Sequence, residues 1–147
     1  MNDDKQGNLT LTVRRIIRAD PEQLFEAWTD PAQLVAWWGP RPVTCTEAQV
    51  DLRVGGRYRT GNRLPDGKIL YIGGVFETIE APHLLVYTWQ LEPAMGEPER
   101  VTVRFEVRPG GTEVSITHER IGDSALRERH QGGWEGCLDS LVAYLRG

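Results

Sequence analysis

The chemistry available to this chain rests on three histidines, two cysteines and five tryptophans. His118 shares a strand-like alternation with Val114 and Ile116, which turns it inward. An inward imidazole can be a hydrogen-bonded core residue, a polar anchor for a ligand, or a general base near neutral pH. His83 falls in a turn, and His130 sits on a helical stretch four residues before Trp134. Scattered in this way the histidines make no metal set, and no His-Glu-x-x-His spacing occurs. Cys45 and Cys137 stand outside any Cys-x-x-Cys pair and read as free, half-buried thiols. The serines lack an elbow motif, and phosphate-loop glycines are absent. Arg104, Glu106, Glu47 and Asp51 alternate onto solvent faces, so no carboxylate pair has acid–base spacing. The chain therefore offers no catalytic residue by motif, and no cofactor or metal is expected.

The tryptophans point instead to a binding surface. Trp28, Trp37 and Trp38 fall on short helical segments, Trp89 on a strand and Trp134 on a long helix. Trp38, Tyr58, Tyr71, Trp89, Phe105, His118 and Trp134 are the expected lining of an internal cavity. Such a lining suits a flat or lipid-like molecule, because ligand pockets are mostly apolar with a few polar groups. The competing expectation is that the rings only fill the core, Trp28 above all.

These residues are carried by a clear succession of elements. Leu9, Leu11, Val13 and Ile17 recur with the period of a strand. Asp20-Pro21 and Asp30-Pro31 then open two short helices, since Asp caps and Pro suits the first helical position. Strand patterns follow over 43–52, 57–62, 68–80, 84–91, 100–108 and 112–120, separated by Gly and Pro turns. In the sixth of the chain's strands, Val101, Val103, Phe105 and Val107 share a face. Gly73-Gly74 inside a strand suggests a bend or a close approach. From about Asp123 the period changes: Leu126, His130, Trp134, Cys137, Leu138, Leu141, Val142 and Leu145 recur at three and four. Gly132, Gly133 and Gly136 interrupt that helix, which predicts a close neighbour or a bend there.

The expected class is therefore α+β: a curved antiparallel sheet of about six to seven strands around a long C-terminal helix, with two short helices after the first strand. The 147 residues suit one domain, 1–147, with 1–7 a loose tail. A net charge of −4 gives no basic footprint for nucleic acid. No apolar run approaches the roughly 20 residues that span a bilayer, and the polar start lacks a signal-peptide pattern, so the expected location is cytoplasmic.

Several strings in this order resemble the START-like, helix-grip (SRPBCC) superfamily, in the branch homologous to activators of the heat-shock chaperone ATPase. They include Leu24-Phe25-Glu26-Ala27-Trp28-Thr29-Asp30-Pro31, Trp37-Trp38-Gly39-Pro40, Val50-Asp51-Leu52-Arg53-Val54-Gly55-Gly56-Arg57-Tyr58, Leu85-Val86-Tyr87-Thr88-Trp89, and Gly133-Trp134 before Leu138, Leu141 and Leu145. The resemblance implies a helix-grip fold with a hydrophobic cavity between sheet and helix. It implies no reaction, because fold does not fix chemistry. The eukaryotic activators carry a further N-terminal domain, and only about eight residues precede the first strand here, so their chaperone role is not carried over.

Three functional readings follow. The first is binding of a small hydrophobic or amphipathic molecule between sheet and helix, without catalysis. The second is a chaperone-assisting or protein-interaction module that uses an exposed apolar patch. The third is a cofactor-free cyclase- or hydratase-type enzyme using His118 with Tyr58 or Tyr71. A small apolar partner is expected, a protein partner is possible, and a monomer or homodimer fits equally.

Overall fold

The computed structural model describes residues 8–93 and 96–146; the expected tail at 1–7 lies outside them. The elements run β1 (Leu9–Ile17), α1 (Pro21–Thr29), α2 (Pro31–Trp37), β2 (Thr44–Val50), β3 (Arg57–Arg63), β4 (Ile69–Glu80), β5 (Leu84–Leu91), β6 (Glu99–Arg108), β7 (Gly111–Ile121) and α3 (Ser124–Arg146). The seven strands form one sheet in the order β1-β7-β6-β5-β4-β3-β2, with every neighbouring pair antiparallel. The two short helices connect one edge strand to the other. This is the α+β helix-grip architecture that the element order predicts.

Local chemistry places the short helices. The Asp20 carboxylate accepts from the Gln23 N–H at 2.7 Å, and Pro21 occupies the first turn. Asp30 serves two helices at once. Its backbone N–H closes α1 on Glu26 O at 2.8 Å, and its carboxylate accepts from Ala32 N–H at 3.1 Å to open α2. Trp37 then ties the pair together, donating its indole N–H to Ala27 O at 2.9 Å.

The core lies between these helices, the inner face of the sheet and α3. Val101, Val103 and Phe105 of β6 are fully buried there. Val107, expected on the same face, is 67% exposed: β6 runs on toward its hairpin beyond the packed layer. α3 is capped by Asp123, whose carboxylate accepts from Leu126 N–H at 2.8 Å. It lies on β1 and β7 and against α2. On the other side the β3–β4 end of the sheet curls toward α3 without packing on it. That gap is where the site lies.

The glycines divide by role. A Cβ on Gly74 would run into Thr88 O, so the pair in β4 permits a close backbone approach. On α3, a Cβ at Gly136 would sit 2.5 Å from Pro40 Cβ, which makes Gly136 the contact point with the segment after α2. Ser140 reinforces that contact by donating to Gly39 O at 3.0 Å. Gly133 is different, because its missing side chain faces open space.

Candidate functional site

Between α3, the start of the segment after α2 and the β3–β4 hairpin lies a cavity of about 190 Å³. Trp38, Trp89 and Trp134 supply aromatic wall, and Leu64, Leu70 and Ile72 supply the aliphatic side. His118, His130 and Asn62 also border it. Leu70 and Arg129 are exposed and mark the mouth.

Behind the wall sits a buried polar cluster. His118 on β7 is fully buried, and Trp134 donates its indole N–H to His118 Nδ1 at 3.0 Å. An indole N–H can only donate, so Nδ1 must carry the lone pair. The proton is then on Nε2, which donates to the Glu99 carboxylate at 2.6 Å. His118 is therefore neutral with both nitrogens satisfied. Burial pushes its pKa down and opposes the pull of Glu99. The same Glu99 oxygen accepts from His130 Nε2 at 2.9 Å, and the two imidazoles stack with centroids 4.3 Å apart. Burial pushes the Glu99 carboxyl up, but the hydrogen bonds from His118 and His130 outweigh it and hold it at about 2. Trp89 sets its edge against both imidazoles, at 5.3 and 4.9 Å.

Two histidines and a carboxylate within 4.8 Å invite a metal reading. The hydrogen bonding argues against it. A neutral imidazole that ligates through Nε2 carries its proton on Nδ1, where it would meet the Trp134 N–H head-on. The stacked rings, tilted by only 17°, also prevent one ion from lying in both ring planes. The arrangement fits two imidazoles hydrogen-bonded to one carboxylate oxygen, not a coordination site.

The structure brings together four of the seven expected lining residues: Trp38, Trp89, His118 and Trp134. Tyr58 lies deeper, against a separate space of about 30 Å³ that it shares with Trp38, and its hydroxyl donates to Thr88 O at 2.7 Å. Phe105 is core, wedged edge-on against Phe25 and Trp28. Tyr71 is on the opposite face of the sheet, beneath the Arg59 guanidinium at 3.9 Å and bonded to Glu47 at 3.3 Å. Neither tyrosine reaches His118, so the expected His–Tyr pairing does not form. The scattered-histidine reading is also corrected for His118 and His130; His83 stays apart, bonded to Phe105 O in its turn.

Sequence reasoning missed Glu99, Asn62 and the role of His130. Glu99 falls one residue before the 100–108 strand pattern in the sequence, yet it opens β6 and pairs with Trp89. The spacing of His130 to Trp134 was visible, but its contact to His118 depends on how α3 lies on β7. The two thiols are buried, and burial pushes Cys137 up to about 12 and raises Cys45. Cys137 lines the cavity as an inert apolar group.

The family model described as Activator of Hsp90 ATPase homolog 1-like protein matches residues 18–146. The chain belongs to this family. Activator-homologue-like structures of similar shape include the AHSA1 protein of Silicibacter pomeroyi, 26% identical with a TM-score of 0.83 over 94% of this chain and 98% of that one. The AHSA1-like protein of Aeromonas hydrophila is 27% identical, with a TM-score of 0.76 over 94% and 92%. A Rhodobacter sphaeroides protein is 27% identical, with a TM-score of 0.81 over 93% and 92%. No curated protein matches the chain. The activator-homologue fold is of a kind that binds hydrophobic ligands or other proteins. Among the described residues, no helix is long and apolar enough to cross a membrane.

Proposed function

We propose that this member of the family binds a small, largely apolar molecule in the cavity between the sheet and α3. The observation that carries the reading is the unfilled space of about 190 Å³, walled by Trp38, Trp89 and Trp134, into which Gly133 presents no side chain. An apolar cavity of about 150 Å³ is enough to admit benzene. The space therefore suits one ring with a small substituent rather than a sterol or a full acyl chain. The protein-interaction reading has less support, because none of the five tryptophans is exposed. The enzyme reading has less support too, since His118 has no free nitrogen.

A thermal-shift screen with monocyclic aromatics and short lipids tests the proposal. A ligand at about 100 times its Kd adds about 2.7 kcal/mol, or roughly 5–10 °C in a domain of this size. Single-ring compounds should raise the Tm, and Gly133→Leu, which puts a side chain into the cavity, should remove that rise. A Tm that no compound moves contradicts the proposal.

A further inference from the structure

The polar atoms that face the cavity are not a random set. Asn62 on β3 is 4% exposed, and its amide nitrogen donates to Thr60 O at 3.3 Å, Thr60 Oγ1 at 3.1 Å and Leu70 O at 3.2 Å. Two of those partners are carbonyls, which can only accept, so the amide orientation is fixed. The Asn62 Oδ1 then has no partner among the described residues, and among those residues no fully buried side-chain oxygen or nitrogen is left unsatisfied. Oδ1 must therefore be open, and Asn62 opens onto the cavity. His130 presents a similar case. Its Nε2 is committed to Glu99, and its Nδ1 has no partner among the described residues and is likewise not sealed off. Nδ1 accepts in a neutral ring and donates in a protonated one, so Asn62 Oδ1 is the acceptor on which the site's polarity rests.

Resting on the binding reading above, we infer that the cavity takes a monocyclic aromatic alcohol, whose ring lies among Trp38, Trp89 and Trp134 and whose hydroxyl donates to Asn62 Oδ1. An anionic group fits poorly at that end, because Asn62 Oδ1 is an acceptor and the Glu99 carboxylate stands directly behind His130. An ammonium group also fits poorly. Glu99 does not line the cavity, so a buried cation would find only neutral acceptors there, and Arg129 sits at the mouth. A neutral hydroxyl is the donor that pays least for entering.

Phenol and toluene make the test, since they differ only in a hydroxyl against a methyl. Isothermal titration of the wild-type protein should give phenol about two- to tenfold tighter than toluene, the effect of one net hydrogen bond. Benzoate and benzylamine should both bind more weakly than phenol. Asn62→Leu removes the acceptor and should reduce the preference for phenol over toluene to within about twofold. Equal or tighter binding of toluene, or tightest binding of benzoate or benzylamine, overturns the hydroxyl inference and leaves the binding reading intact. Binding of none of the four overturns both.

Discussion

The indole N–H of Trp134 meets Nδ1 of His118 at 3.0 Å, joining α3 to β7 through two side chains that are otherwise out of reach of water. That bond sets the tautomer of His118, and the tautomer delivers a proton toward Glu99. A helix laid across a sheet thus acquires a fixed register through one donor and one acceptor. Replacing the donor should show this. Trp134→Phe leaves a buried Nδ1 without a partner, at a cost of about 1–3 kcal/mol. Chemical denaturation reads the loss, and the His118 Nδ1 chemical shift should move as its donor disappears while the Nε2 proton stays on the Glu99 side.

Acid should destabilise the protein in two steps of the same sign. The folded pKa of His118 is below 6.5, so the unfolded chain takes up that proton first, and stability falls as pH drops below about 6.5. The Glu99 carboxyl is held at about 2 against a usual 4.5, so its contribution is complete above about 4.5 and is lost as pH falls toward 2. Denaturation midpoints measured from pH 7 to pH 2 should decline through both windows. Glu99→Gln should flatten the lower one. A profile unchanged by that substitution would show that Glu99 is not the group responsible.

The α3 glycines should respond with opposite signs. Gly133→Ala adds helix propensity with no clash and should stabilise by about 1 kcal/mol. Gly136→Ala pushes a methyl against Pro40, and overpacking of about 1–3 kcal/mol offsets or exceeds the same propensity gain. The Tm order should be Gly133→Ala, wild type, Gly136→Ala.

The tyrosine on the wrong face gives a further discrimination. Tyr71→Phe should leave binding of any cavity ligand within about twofold of wild type, since the ring stacks under Arg59 outside the cavity. Trp89→Ala removes wall and should weaken that binding by about tenfold or more, in line with about 1.5–3 kcal/mol for a buried large side chain. Calorimetry on both variants settles the comparison.

The contrast between His118 and Tyr71 shows how much of the site was legible. Strand period turned His118 and Val101, Val103 and Phe105 of β6 inward, because polar and apolar residues alternate around them. Around Tyr71 the string Ile69-Leu70-Tyr71-Ile72 is apolar throughout, so no alternation shows which way the ring points. Only pairing decides it, with Tyr71 opposite Gly61 and Ile72 opposite Thr60. Glu99 was hidden for a related reason. Its partnership with Trp89 and the histidines depends on how β5 and β6 pair across a long connection, and polarity at 92–99 reads only as loop. The caps of α1 and α2 were fully legible, because an Asp-Pro start acts within one turn of chain. The glycines of α3 were recognised as meaningful, but whether each leaves space or permits contact follows from the fold alone.

Whether the interior beside α3 takes a small aromatic ligand can be read from the tryptophan indole N–H resonances during titration with phenol. Saturable shifts are expected for Trp38, Trp89 and Trp134, with little change at Trp37 and loss of the shifts in Gly133→Leu. Indole signals that stay fixed up to the solubility limit of the ligand, or shifts that persist when Gly133 is filled, would contradict the binding proposal.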